Sequence, residues 1–145
     1  MLSKSFNFNF YKELYKDQKA LTLGEKIQKQ RLMLGFTQEE FAKKIGLTRS
    51  AINNYELGIT QPSREALLKL IKIIDKDYLC DDEYLKFILS DYPSIIKKWR
   101  KNHHLSLRQA GKILGISASA INSWEKQIYT IDRKSYDKVK KHIDI

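Results

Sequence analysis

Residues 37–58 read TQEEFAKKIGLTRSAINNYELG, and residues 106–127 read SLRQAGKILGISASAINSWEKQ. The two stretches align without a gap, so that position 46 matches position 115 and position 56 matches position 125. An internal repeat of this kind indicates that one structural unit occurs twice in the chain.

Each copy carries the pattern of short helices. Thr37 is followed by Glu40, and Ser106 by Gln109, at the spacing of a capping box that begins a helix. A glycine then predicts the end of that helix in a left-handed conformation, and Thr48 or Ser117 predicts the start of the next. Apolar residues spaced by three or four predict the buried helix faces, which include Ile27, Phe41, Ala42, Ile45, Ile52, Tyr55, Leu67, Leu70, Ile74, Ile96, Trp99, Ile121, Trp124, Tyr136, Val139 and Ile143. Two short helices joined through a glycine turn form a helix-turn-helix.

Composition and charge limit the classes of protein. The 145 residues suit one domain or two very small ones, and the net charge of +10 favours a polyanionic partner, either nucleic acid or an anionic membrane. No apolar run is long enough to span a membrane, and the N-terminus lacks the apolar region of a signal peptide. Cys80 is the single cysteine, which argues against a disulfide framework and favours a cytoplasmic location.

The charge is unevenly distributed, which predicts the domain boundaries. Residues 21–75 carry a net charge of +3, residues 76–91 carry −3 and residues 92–145 carry +8. We therefore expect an all-α protein with two helix-turn-helix bundles, at 21–75 and 92–145, joined by an acidic and helical connector at 76–91. Residues 1–20 form an aromatic-rich N-terminal segment, which we expect to dock on the first bundle or on a second chain, or to be a partly ordered tail.

The first copy closely resembles the lambda-repressor/Cro-type (XRE-type) helix-turn-helix, and the second copy is a weaker match. Gln38 at the start of one helix, the small Ala42 where two helices cross, Gly46 in the turn and the closing YELG carry the resemblance. Gly111 is the counterpart of Ala42. The resemblance implies a DNA-binding regulator of transcription, most often a repressor, from a bacterium, phage or plasmid.

The third helix of such a unit lies in the major groove, where its first residues face the base edges. In the first copy these residues are Arg49, Ser50, Asn53 and Asn54. Arginine can bind guanine and asparagine can bind adenine through two hydrogen bonds. The resemblance implies that Gln38 grips a phosphate, and we expect further backbone contacts from Thr37, Lys43 and Arg64.

The second copy departs from this pattern, because its corresponding positions carry small side chains. Its candidate DNA contacts are Arg108, Ser119, Asn122, Ser123 and Lys126, and Leu107 replaces the glutamine. Either this copy docks on DNA mainly through its positive charge, or it has a structural or dimerising role.

The resemblance also implies a structural ion pair in each copy. Arg31 would pair with Glu56, and Arg100 with Glu125, tying the first helix of each bundle to the third.

The sequence contains no nucleophile–base pair and no phosphate-binding glycine loop, so we predict no enzyme, cofactor or metal site. The predicted function is sequence-specific binding of double-stranded DNA by a transcriptional repressor. One alternative is an antitoxin that represses its own operon and binds a toxin-like protein partner through residues 1–20. Another is a protein–protein adaptor that has lost DNA binding, and a homodimer is compatible with each of these functions.

Overall fold

The computed structural model describes residues 21–145, which are all-helical and fall into two compact units that divide after Cys80. The described part of the first unit contains α1 (Leu23–Met33), α2 (Gln38–Ile45), α3 (Arg49–Glu56), α4 (Arg64–Leu70) and α5 (Lys76–Leu79). The second contains α6 (Glu83–Leu89), α7 (Tyr92–Asn102), α8 (Leu107–Leu114), α9 (Ala118–Glu125) and α10 (Arg133–Val139). Residues 1–20, and with them the predictions for the N-terminal segment, lie outside the described residues.

Polar caps set the start of the short helices in both units. The hydroxyl groups of Thr37, Thr48 and Ser117 each accept a hydrogen bond from the backbone N–H three residues later, at 3.1 Å. At Ser106 the complete capping box forms, because the Gln109 side chain also accepts from the Ser106 N–H at 2.8 Å. These side chains satisfy backbone donors that have no partner within the helix.

The core positions repeat along with the sequence. In the first unit α3 packs against both α1 and α2, and in the second α9 packs against both α7 and α8. The fully buried apolar residues include Ile27, Ile52 and Leu70 in the first unit and their counterparts Ile96, Ile121 and Val139 in the second. Tyr55 and Trp99, which we expected in the core, are only half-buried.

The need for a small residue at position 111 comes from the nearby turn, and not from the crossing of two helices that we expected. A Cβ atom on Gly111 would lie 2.5 Å from the carbonyl oxygen of Ile116, in the turn that follows α8. The close approach at this position is therefore to the backbone of the turn. Ala42, its counterpart in the first unit, is itself 2% exposed.

The acidic segment 76–91 contributes to both units. Leu79 and Cys80 are buried in the first unit, whereas Phe87 and Ile88 of α6 are buried in the second. The Phe87 ring lies 5.1 Å from the rings of both Tyr92 and Tyr136. The division at Cys80 therefore falls inside the proposed connector. Apolar residues of this segment are buried in one unit or the other, and its acidic residues include Asp82, the N-cap of α6. The domain boundaries expected at 75 and 92 stay a prediction.

Candidate nucleic-acid interface

The turn between α2 and α3 places the start of α3 at the surface. Gly46 ends α2 with φ of +72°, a left-handed conformation that favours glycine. Thr48 caps α3, so the helix begins at Arg49. Both Arg49 and Ser50 are exposed.

In each unit a lysine closes this turn, Lys69 from α4 in the first unit and Lys138 from α10 in the second. The Lys69 ammonium donates to the carbonyl oxygen of Gly46 at 3.0 Å, and that of Lys138 donates to Gly115 at 3.1 Å. A positive charge at a helix C-terminus also interacts favourably with the helix dipole. Our sequence analysis missed both contacts, although the two lysines occupy equivalent positions of the repeat and could have been recognised from it.

A buried ion pair holds the other end of α3. Arg31 Nε lies 2.6 Å from Glu56 Oε1, and Arg31 Nη2 lies 3.0 Å from Glu56 Oε2. The third guanidinium nitrogen, Nη1, donates to the carbonyl oxygen of Phe36 at 2.8 Å. One arginine therefore fixes α1, the end of α3 and the loop that precedes α2.

The second unit contains the same arrangement. Arg100 binds Glu125 through Nε at 2.7 Å and Nη2 at 2.8 Å, and its Nη1 donates to Leu105 at 3.0 Å. The hydrogen bond to Glu125 holds the pKa of the Arg100 guanidinium above its ordinary value. Both ion pairs implied by the family resemblance are thus present.

Gln38 is bound within the first unit rather than extended into solvent. Its Nε2 donates to Glu56 Oε2 at 3.0 Å and lies 3.3 Å from Asn53 Oδ1. The structure therefore brings Gln38 and Asn53 together, in contacts that the proposed role in phosphate binding did not anticipate.

The four candidate base contacts all lie within α3, in its first six residues. Residues three or four positions apart share one face of a helix, so Asn53 lies on the same face as Arg49 and Ser50. Asn53 and Asn54 are both half-buried. The face that remains accessible is thus richest in polar groups at its N-terminal end.

The proposed backbone contacts of the first unit are more dispersed. Thr37 is exposed and uses its hydroxyl as the N-cap of α2. Lys43 is exposed at the last turn of α2, five residues after Gln38, which places the two about 140° apart around the helix. Arg64 begins α4 and is half-buried.

The second unit offers a smaller set of polar groups at the equivalent surface. Ser119, Arg108 and Lys126 are exposed, whereas Asn122 and Ser123 are half-buried. Leu107 provides no side-chain hydrogen bond where Gln38 provides two.

Several cations of the second unit have partners within that unit. Arg133 binds Asp82 at 2.8 Å, Lys138 caps Gly115, and Lys140 binds Asp137 at 3.0 Å. The hydrogen bond to Asp137 raises the pKa of Lys140 above its ordinary value. Arg133, Lys138 and Lys140 are therefore each held against another group of the second unit.

Metal-binding clusters and membrane-spanning helices are both absent from residues 21–145. No three His, Cys, Asp or Glu side chains in this range are grouped so that they could hold a metal ion. None of the helices in the same range has the length and apolar character needed to cross a membrane.

Comparison with protein families decides the class of these units. The model of the helix-turn-helix family HTH_3 matches residues 27–78 and, separately, residues 96–139. The chain belongs to the HTH_3 helix-turn-helix family. Each match contains one buried ion pair and one glycine turn, so both units are HTH_3 bundles.

Relatives of this HTH_3 protein occur in Bacillus subtilis. The chain is 31% identical over 97 residues to the SPbeta prophage-derived uncharacterized HTH-type transcriptional regulator YonR. This alignment covers 63% of this chain and 88% of YonR. It is 33% identical over 61 residues to the HTH-type transcriptional regulator ImmR, in an alignment that covers 41% of this chain and 48% of ImmR. It is 35% identical over 69 residues to the uncharacterized HTH-type transcriptional regulator YqaE, in an alignment that covers 46% of this chain and 60% of YqaE. No solved structure matches the chain.

Proposed function

We propose that this protein is a sequence-specific regulator of transcription, most simply a repressor, that acts in the cytoplasm and binds double-stranded DNA. The observation that carries the proposal is the position of Arg49 and Ser50. They are exposed at the first turn of a helix that is fixed by a buried ion pair at its far end and by a capped turn at its near end. A rigid helix with exposed polar groups at its N-terminus suits the major groove.

The two units have unequal roles in this proposal. The first unit contacts base edges through Arg49, Ser50, Asn53 and Asn54. The second unit contributes mainly contacts to phosphate, because its helix α9 offers small side chains such as Ser119 at the equivalent surface. Contacts to phosphate add affinity without adding sequence information.

Selection of bound sites from a pool of random duplexes tests the proposal. We expect a defined site to emerge, and its binding to weaken steeply as the salt concentration rises. A promoter that overlaps this site should lose transcription when the protein is added. The absence of salt-sensitive binding to duplex DNA would instead favour the protein–protein adaptor.

A specific observation supports a homodimer as an additional state. Leu57 and Ile59, which follow α3, are each 65% exposed, and Ile128 and Tyr129 are 59% and 70% exposed after α9. Each unit thus exposes two large apolar side chains close together in the sequence, and an exposed apolar patch can mark a contact with another protein. Sedimentation of the wild-type protein and of Ile59→Lys measures this association. The toxin-like partner depends on residues 1–20 and stays a hypothesis.

A further inference from the structure

The side chain of Gln38 has one orientation that satisfies its surroundings. The carboxylate of Glu56 can only accept hydrogen bonds, so the Gln38 amide must face it with the NH2 group, at 3.0 Å. Glu56 is 2% exposed at its side chain and also accepts from Arg31 through both oxygens. The buried ion pair therefore fixes the direction of the Gln38 amide.

The orientation of Gln38 in turn determines that of Asn53. An amide nitrogen carries two hydrogens, and the second of those on Gln38 Nε2 is directed at Asn53, whose Oδ1 lies 3.3 Å away. Asn53 must then turn its oxygen towards Gln38 and its own NH2 group away. The buried Arg31–Glu56 pair thus sets the polarity of a side chain on α3.

We propose that Gln38 is a positioning residue that makes Asn53 a hydrogen-bond donor in the major groove. An asparagine that binds adenine needs its oxygen and nitrogen both directed at the base, whereas the oxygen of Asn53 is directed at Gln38. Asn53 therefore favours a base edge that carries acceptors, and guanine offers two of them, N7 and O6. This inference rests on the proposed function, since it concerns how the first unit contacts DNA.

The second unit provides an internal comparison. Asn122 and Glu125 occupy the positions of Asn53 and Glu56, but Leu107 occupies that of Gln38. Leucine cannot donate a hydrogen bond, so the polarity of Asn122 is not set in this way. The fold of the second unit also shows that a leucine is compatible with the helix start and with the ion pair.

The test uses the site selected from random duplexes and a scrambled duplex of the same composition. Each guanine of the site is replaced in turn by 7-deazaguanine, which lacks the N7 acceptor. Apart from any guanine that Arg49 binds, we expect one replacement to weaken binding of the wild-type protein by about fivefold to tenfold. Gln38→Leu and Asn53→Ala should each lower the cognate-to-scrambled ratio by a similar factor and should no longer respond to that replacement. The double variant should bind no worse than either single variant.

Three outcomes separate the possibilities. If Gln38→Leu weakens cognate and scrambled duplexes equally and still responds to the guanine replacement, Gln38 contacts phosphate or is only structural, and the inference fails. If the wild-type protein is selective but responds to no guanine replacement, the inference fails while the proposed function stands. If the wild-type protein does not distinguish the two duplexes, the proposed function itself fails. Thermal unfolding of each variant verifies its fold, and Gln38→Met serves as a second variant without a donor.

Discussion

At the scale of single residues, the buried arginine–glutamate pair makes each unit sensitive to one substitution. The side chains of Arg100 and Glu125 are 9% and 7% exposed. Glu125→Ala leaves the Arg100 charge buried without its partner, which should lower the free energy of unfolding by about 3–5 kcal/mol. Both tryptophans, Trp99 and Trp124, lie in the second unit, so tryptophan fluorescence during urea unfolding follows this unit.

Glu83→Ala is the matched control, because the Glu83 side chain is 79% exposed and pairs with Lys86 at the surface. This change should cost less than about 1 kcal/mol. Equal losses in the Glu83 and Glu125 variants would show that the buried pair has no special role.

Tyr84 should make the second unit sensitive to alkaline pH. Burial raises the pKa of Tyr84 to about 12, whereas an ordinary tyrosine has a pKa of about 10. Between these values the unfolded chain has released the proton that the folded unit retains. The contribution of Tyr84 to stability is therefore complete below pH 10 and is lost as the pH rises towards 12.

The variant Tyr84→Phe isolates this effect. It should unfold more readily at neutral pH, because it lacks the 2.9 Å hydrogen bond from the Tyr84 hydroxyl to Ile131. Its stability should then fall less than that of the wild type between pH 10 and 12. Tyr129→Phe, which changes a side chain of a residue that is 70% exposed, should follow the wild-type curve. A Tyr84→Phe curve parallel to the wild type would contradict the assignment.

At the scale of elements, the lysine that closes the turn should stabilise the helix-turn-helix. Lys138→Met removes the bond to the Gly115 carbonyl at the C-terminus of α8. We expect a loss of about 0.5–1 kcal/mol in the free energy of unfolding. Lys134→Met removes an exposed positive charge from α10, the helix that carries Lys138, and should change stability less. If both variants lost the same amount, charge rather than the cap would be responsible.

The sequence predicted the elements well where each depends on local chemistry. The caps Thr37, Thr48 and Ser117 and the turn glycines act within a few residues, so their spacing revealed where the helices begin and end. The ion pairs were predicted from the family resemblance, and the repeat placed the same two residues in both copies. The position of α6 depends on the burial of Phe87, which a count of charges along 76–91 does not detect.

The candidate site was harder to derive than the elements. The resemblance placed Arg49 and Ser50 at the start of α3, but the link from Gln38 to Asn53 depends on side-chain directions in two different helices. Periodicity places residues on faces and does not orient an amide. The base contacts themselves stay a proposal.

At the scale of the whole molecule, the two units should affect DNA binding differently. Lys126 is exposed at the C-terminal end of α9. It is not one of the residues proposed to contact base edges. Lys126→Ala should weaken binding to all duplexes alike and reduce the slope of log affinity against log salt by about one unit, if it loses one phosphate contact. Lys138 is less suited to this test, because its substitution also removes a helix cap. An unchanged slope would instead favour a structural or assembly role for the second unit.

The central claim is that the first unit distinguishes one DNA sequence from another through the start of α3. The most direct test compares the affinities of wild type, Arg49→Ala and Ser119→Ala for the selected site and for a scrambled duplex. We predict that Arg49→Ala lowers the cognate-to-scrambled ratio by the equivalent of about 1–3 kcal/mol, as expected for a lost bidentate contact to a base. Ser119→Ala should leave the ratio nearly unchanged. An unchanged ratio for Arg49→Ala together with a collapsed ratio for Ser119→Ala would contradict the account and assign sequence recognition to the second unit.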